Sequence, residues 1–226
     1  NEFTGVLTGK GMAWGGSLIR PEATGYGCVY FAAHMLASKG LDFSGKRVSI
    51  SGSGNVAQYA CEKAIALGAK VQCLSDSKGY LFDPDGISQV KLEWVKNQKN
   101  LHRGPLAEYA EAFNSARFIP GGNLWEVPCD IALPSATQNE VSESDARVLV
   151  SGGLQCLAEG ANMPCTPGAV EVLQESGVLF GPGKAANAGG VAVSGLEMAQ
   201  NAQRVAWTAE EVDGSLQQIM KHIHGA

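Results

Sequence analysis

The chain has 226 residues, 45% hydrophobic and 17% charged, with a formal net charge of −5. That is enough length for one large domain or two small ones around an ample core, in an ordinary globular composition. The acidic balance offers no basic field for nucleic acid and no polybasic membrane patch, and no apolar run reaches the length of a membrane span or marks a signal peptide.

Residues 1–19 are rich in glycine (Gly5, Gly9, Gly11, Gly15, Gly16) and show neither a helical nor a strand period, so they read as a connecting segment. The chain starts at Asn1 without Met, which reads as a fragment. Pro21 suits the first turn of a helix reaching about Lys39, with Gly40 past its end and Val29, Ala32, Ala33 and Leu36 as its apolar face. Gly25 and Gly27 cost this helix roughly 1 kcal/mol each, so something is expected to approach it closely there. Thr24, beside them, is the first residue to place against a ligand, although a helical threonine also bonds back to a carbonyl.

The central stretch is Arg47-Val-Ser-Ile-Ser-Gly-Ser-Gly-Asn-Val-Ala-Gln-Tyr59. An alternating run with Val48 and Ile50 meets the turn Gly52-Ser-Gly-Asn-Val-Ala57. A helix follows to Leu67 and stops at Gly68, and a second apolar strand, Val71 to Leu74, ends at Asp76. Strand, G-x-G-x-x-A turn, helix and strand together predict dinucleotide binding. Gly52 allows the sharp turn, Gly54 lets the backbone approach a pyrophosphate, and Ala57 keeps the helix close to the sheet. The helix N-terminus offers free N–H groups to the phosphates.

Beyond Ser75-Asp-Ser-Lys-Gly79 the sequence reads as a turn, Asp83-Pro-Asp-Gly86, and two helical segments, roughly Gln89–Gln98 and Leu106–Phe113. The cation-rich stretch from Lys91 to Arg103 reads as a solvated helix face. A short strand near Arg117–Ile119, a strand Ile131-Ala-Leu133 and a helix from Ser142 to Gly152 follow. Next come a strand at Gln155–Ala158, a helix from Pro167 to Ser176 and a strand at Val178–Phe180. This alternation predicts an α/β fold: a Rossmann-like, doubly wound, mostly parallel sheet of about six or seven strands with helices on both faces. Several strands end in small and amide residues, including Pro134-Ser-Ala-Thr-Gln-Asn139, Glu159-Gly-Ala-Asn162 and Lys184-Ala-Ala-Asn187, as the binding edge for a long polar ligand would.

From Gly190 the chain turns helical through Val193, Leu196, Glu197, Gln200 and Val205. Thr208-Ala-Glu-Glu211 is a capping box opening a last helix with Val212, Leu216, Ile219 and Ile223 on one face. That helix looks cut, and its apolar surface is expected to drive association. Six cysteines (Cys28, Cys61, Cys73, Cys129, Cys156, Cys165) contain no C-x-x-C pair, which argues against zinc and disulfides and for a reducing cytoplasm. His222 and His224 point different ways on a helix and read as surface residues, not a metal pair.

The motifs Arg20-Pro-Glu-Ala-Thr-Gly-Tyr-Gly27, Ser51-Gly-Ser-Gly-Asn-Val-Ala-Gln58, Ala136-Thr-Gln-Asn139, Ala158-Glu-Gly-Ala-Asn-Met-Pro164 and Lys184-Ala-Ala-Asn-Ala-Gly-Gly-Val191 resemble those of the hexameric bacterial glutamate dehydrogenases. Ser194-Gly-Leu-Glu-Met198 and Trp207-Thr-Ala-Glu-Glu-Val-Asp213 fit the same family. The resemblance covers essentially the whole chain, and corresponds only to the family's coenzyme-binding half. It implies a single domain over 1–226, with 190–226 facing a substrate domain that carries the catalytic lysines and aspartate. It implies that Thr24 bonds the nicotinamide carboxamide with help from Asn187. Gly52, Ser53, Gly54, Asn55 and Val56 would cradle the pyrophosphate. Ala136, Thr137 and Gln138 would line the adenosine-to-ribose path, and Asn162 would approach the nicotinamide ribose. Ser194 would reach a substrate carboxylate, and Arg20 would hold its helix against the cleft wall or form a structural ion pair.

Asp76 at the end of the second strand favours a ribose 2′-OH, hence NAD. Ser77 as donor and Lys78, Lys99 or Arg103 as cations favour a 2′-phosphate, and NADP-using members of the family commonly carry Ser-Asp-Ser here. NADP is the expected coenzyme, with NAD as the alternative. The implied reaction of the intact enzyme, a homohexamer, is reversible oxidative deamination of glutamate to 2-oxoglutarate and ammonium, with a hinge at Gly189–Ser194 or near the chain's ends. The chain alone, a monomer or dimer, is expected to bind coenzyme without catalysing. The alternatives are a leucine- or valine-type amino-acid dehydrogenase domain and a non-catalytic or nucleotide-sensing module.

Overall fold

Arg47–Ile50 (β1) lies at the centre of a seven-stranded sheet in a computed structural model that describes residues 5–226. The other strands are Lys70–Asp76 (β2), Gly79–Phe82 (β3), Arg117–Pro120 (β4), Ile131–Leu133 (β5), Cys156–Ala158 (β6) and Leu179–Gly181 (β7), in the order β4-β3-β2-β1-β5-β6-β7. The five strands from β2 to β7 through β1 are parallel, while β3 and β4 run antiparallel to their neighbours. The expected mostly parallel α/β architecture is the one observed.

Alternation along the strands divides the core between the two faces. Ile131 and Leu133 join Val48 and Ile50 against Ala23–Ala37 (α1), Asn55–Ala66 (α2) and Gln89–Asn100 (α3). Ala132 and Leu157 face Glu143–Ser151 (α5) and Pro167–Glu175 (α6) on the other side. Tyr109–Ala112 (α4) completes the connection into β4, preceded by a short 3-10 turn, so the expected helix over 106–113 is split.

β3 is the element that sequence patterning missed. Asp76 pairs with Gly79 across a turn of Ser77 and Lys78, and Leu81 is fully buried opposite Leu74. Such a turn normally calls for Gly or Asn. Here an Asp76 carboxylate oxygen accepts the Lys78 N–H at 2.9 Å and Gly79 takes φ +151°, so side-chain chemistry closes the hairpin.

α1 is buried almost all round, because it packs on α2, on Gly183–Ala186 (α7), on Gly189–Gln203 (α8), on Ala209–Gly225 (α9) and on the sheet. A Cβ at Gly25 would stand 2.6 Å from the Ala60 nitrogen of α2, and one at Gly27 would stand 2.7 Å from the Gly189 Cα of α8. These two glycines therefore trade helix propensity for helix–helix approach, as expected.

Two expectations are corrected. The lysines of α3 are not a solvated face: Lys91 holds the buried Asp83 at 2.6 Å, Lys96 pairs with Glu62 of α2, and Lys99 stands 3.7 Å from Asp76. The α9 capping box is present, but Val212, Leu216 and Met220 are fully buried against α1, so this face is covered. The segment Gly189–Ser194, one of the places where a hinge is expected, is the N-terminal part of a continuous helix (α8) whose Gly189 packs against Ala23 and Gly27.

Residues 5–19 are irregular apart from a 3-10 turn at Met12–Trp14, and residues 1–4 of the expected connecting segment lie outside the described residues. The segment is pinned to α8. Glu197, fully buried, accepts the Gly9 N–H at 2.8 Å, the Lys10 N–H at 3.2 Å and the Lys10 ammonium at 2.8 Å. All six cysteines are free and buried, and burial pushes the Cys28 and Cys73 thiols up to about 12 and Cys129 up to about 11. Among the described residues no cluster of His, Cys, Asp and Glu could hold a metal, and no helix is long and apolar enough to cross a membrane. His222 is exposed, whereas His224 packs edge-on to Phe31 with ring centres 5.5 Å apart.

Candidate dinucleotide-binding cleft

The carboxyl ends of β1, β2 and β5 are tied together by serine hydroxyls. Ser75 Oγ accepts the Gly52 N–H at 2.8 Å, Ser51 Oγ accepts the Ser135 N–H at 2.8 Å, and Ser135 Oγ donates to the Leu133 carbonyl at 3.0 Å. Gly52 sits at φ +86°, a left-handed turn that a side chain would strain. Gly54 opens α2 with no side chain capping the first N–H groups, and a Cβ built on it would meet nothing within 4 Å. That leaves bare amide donors beside open space, the arrangement a phosphate group fits. Asn55 donates its amide to the Pro21 carbonyl at 2.7 Å, and Ser53 is buried with its carbonyl held by Gln58. Of the predicted cradle residues, these two therefore also brace the loop from behind.

From this loop a cleft of about 1010 Å³ extends toward α8. It collects Arg20, Thr24, Val56, Ala136, Thr137, Gln138, Asn162, Asn187 and Ser194, nine of the residues singled out in the sequence from six separate motifs. Asn187 Nδ2 donates to Asn162 Oδ1 at 2.8 Å and to the Ala161 carbonyl at 3.2 Å, joining the loops after β6 and β7. Arg20 forms no ion pair among the described residues. Its buried Nε lacks an acceptor, so the structural-pair alternative is not the one observed.

Across the Ala136–Glu140 turn from this cleft lies a depression of about 250 Å³ lined by Asp76, Ser77, Lys78, Trp125 and Glu140. Ser77 and Lys78 are exposed at the hairpin turn. Asp76 is already engaged: its second oxygen accepts the Leu106 N–H at 3.1 Å and faces the Lys99 ammonium at 3.7 Å. Arg103 is exposed at φ +53° and makes no ion pair among the described residues.

Sequence reasoning left several contributors unassigned. Glu159, only 5% exposed, accepts the Cys165 N–H at 3.1 Å on one oxygen and the Gly183 N–H at 2.6 Å on the other. Glu140 accepts from the Ala136 and Thr137 amides, and burial holds its carboxyl above the usual range. Thr8 and Lys184 also line the cleft. Glu159 and the tying serines stood inside the motifs, but a residue whose work is to hold another loop carries no local sequence signal.

The model for the family described as Glutamate/Leucine/Phenylalanine/Valine dehydrogenase matches residues 15–226. The chain belongs to this family. Among the family's curated members it is 58% identical to a glutamate dehydrogenase of Bacteroides thetaiotaomicron, over 100% of this chain and 51% of that protein. It is 59% identical to an NADP-specific glutamate dehydrogenase of Haemophilus influenzae, over 99% of this chain and 50% of that protein. The solved structure of Plasmodium falciparum glutamate dehydrogenase 2 superposes with a TM-score of 0.97 at 48% identity, covering 100% of this chain and 49% of that one. The chain thus spans about half the length of the dehydrogenases it matches.

Proposed function

We propose that this chain is the coenzyme-binding part of an NADP-preferring glutamate dehydrogenase, which interconverts glutamate with 2-oxoglutarate and ammonium. The observation that carries the reading is the row of sites at the carboxyl ends of the parallel strands: the Ser77–Lys78 turn after β2, the uncapped N-terminus of α2 after β1, and the cleft holding Thr24, Asn162 and Asn187. Its length and its bare amide donors suit an extended, doubly phosphorylated ligand. The relatives' names, several of them NADP-specific, support the coenzyme and the substrate.

In this reading the amides of Gly54, Asn55 and Val56 hold the pyrophosphate, and Ser77 and Lys78 meet the 2′-phosphate. Thr24 and Asn187 orient the nicotinamide. The coenzyme, when bound, accepts or supplies the hydride. Arg20, with its unpaired Nε, and Ser194 also line the cleft, and in this reading they receive the substrate's anionic end. A homohexamer, with a second domain closing on α8 and α9, completes the enzyme.

Calorimetric titration of the chain with NADP⁺ and separately with NAD⁺ tests the coenzyme. Tighter NADP⁺ binding is expected, and a preference for NAD⁺ would overturn that part. For the substrate, Ser194→Ala in the full-length protein is expected to raise KM for 2-oxoglutarate. An unchanged KM would favour an aliphatic substrate, which needs no hydroxyl partner.

A further inference from the structure

The segment between β5 and α5 is anchored on the loop after β6. Asn139 N–H donates to the Met163 carbonyl at 2.9 Å, Val141 N–H to the Pro164 carbonyl at 2.9 Å, and Thr166 N–H returns to the Val141 carbonyl at 3.0 Å. Glu140 stands between these anchored residues and turns its side chain back along the chain. A single oxygen, Oε1, accepts the Ala136 N–H at 3.0 Å and the Thr137 N–H at 3.2 Å. The Ser51 hydroxyl accepts the Ser135 N–H at 2.8 Å and so ties the start of the same turn to the end of β1. No cation pairs with the Glu140 carboxylate among the described residues.

The turn it holds is the lip between the two hollows. Ala136 and Thr137 line the large cleft, Glu140 lines the smaller depression, and both alanine and threonine are exposed, with this carboxylate as the hydrogen-bond acceptor of their amides. A largely buried, unpaired carboxylate costs stability unless its bonds are needed. Two backbone donors meeting on one charged acceptor make a rigid, charge-assisted closure.

We infer that Glu140 is a positioning residue for the coenzyme: it holds the Ala136–Gln138 turn in the shape that lines the adenosine-to-ribose path. The inference rests on the coenzyme reading above. Glu140 itself touches no reacting atom.

Amide hydrogen exchange and NADP⁺ titration on the whole chain test it together. In the coenzyme-free wild type the Ala136 and Thr137 amides are expected to exchange slowly despite their exposure. Glu140→Gln, whose amide oxygen can take both donors, is expected to keep the Kd within about threefold. Glu140→Ala is expected to raise it by about tenfold, the scale of one lost pair of bonds, while Tm changes little. Unprotected amides in the wild type would overturn the proposal without reference to any variant. So would a Glu140→Ala protein that binds like the wild type, or a Glu140→Gln protein as poor as Glu140→Ala. A wild type that binds no coenzyme would instead overturn the function proposed for the chain, and amide protection would still decide whether Glu140 holds the turn.

Discussion

The Lys99 ammonium lies 3.7 Å from the Asp76 carboxylate, bringing α3 to the end of β2 just before the hairpin turn that carries Ser77 and Lys78. Asp76 therefore builds the turn and carries its own counter-charge. Lys99→Met leaves that carboxylate uncompensated beside the position assigned to the 2′-phosphate. We expect NADP⁺ affinity to fall several-fold, on the order of 1 kcal/mol for a partly exposed charge, with NAD⁺ affinity nearly unchanged. Parallel titrations decide it: an equal loss for both coenzymes would mean that Lys99 acts only through the fold.

Gly25 and Gly54 separate packing from binding. A Cβ at Gly25 would press on the α2 backbone at 2.6 Å, whereas one at Gly54 would project into empty space. Gly25→Ala is expected to cost ~1–3 kcal/mol of stability as an overpacked contact. Gly54→Ala should unfold like the wild type yet lose most of its coenzyme affinity. Intact binding by Gly54→Ala would remove the pyrophosphate from that loop.

Acid should loosen the chain through its bonded carboxylates. Burial pushes the Glu197 carboxyl up, but the bonds from Lys10 and from the Gly9 and Lys10 amides outweigh it and hold the group below its usual range. Asp83 is likewise raised by burial and lowered further by Lys91, Tyr109 and Ser115. A depressed folded value gives stability that is present above the unfolded value, about 4, and is lost as pH falls through the folded one. Urea midpoints should therefore change little from these groups above pH ~5 and drop below pH ~4. A midpoint that held steady down to pH ~3 would argue against these bonds.

Glu159 behaves unlike Glu140. Its two donors fall on different oxygens, so Glu159→Gln sets an NH₂ against a backbone N–H and strands a buried donor. A loss of ~1–3 kcal/mol is expected, with weaker coenzyme binding as the Asn162–Asn187 contact slackens. Thermal unfolding would reveal it, and an unchanged Tm would mean that the loop simply shifts.

The nucleotide edge was legible because each part repeats a local pattern: the Gly52–Ala57 turn, the strand ends, and the capping box at Thr208. What stayed hidden depends on partners distant in sequence. β3 has four residues, and its turn is closed by the Asp76 side chain, not by a glycine at the turn positions. The lysines of α3 look solvated until Asp83, Glu62 and Asp76 arrive from other elements. Glu140 follows a motif without belonging to it, and its two donors precede it in a loop with no period to flag them.

The six buried thiols make the chain its own reporter of opening. Each is shielded from solvent and held protonated by burial, so a thiol reagent finds almost no thiolate while the sheet stays closed. Labelling then proceeds only through opened states, and counting modified cysteines by mass would show which part opens first. Cys28 and Cys61 report on the helices packed behind the cleft, and Cys129 and Cys165 report on the opposite layer. If coenzyme braces the edge, its addition should slow these rates without altering a single cysteine contact.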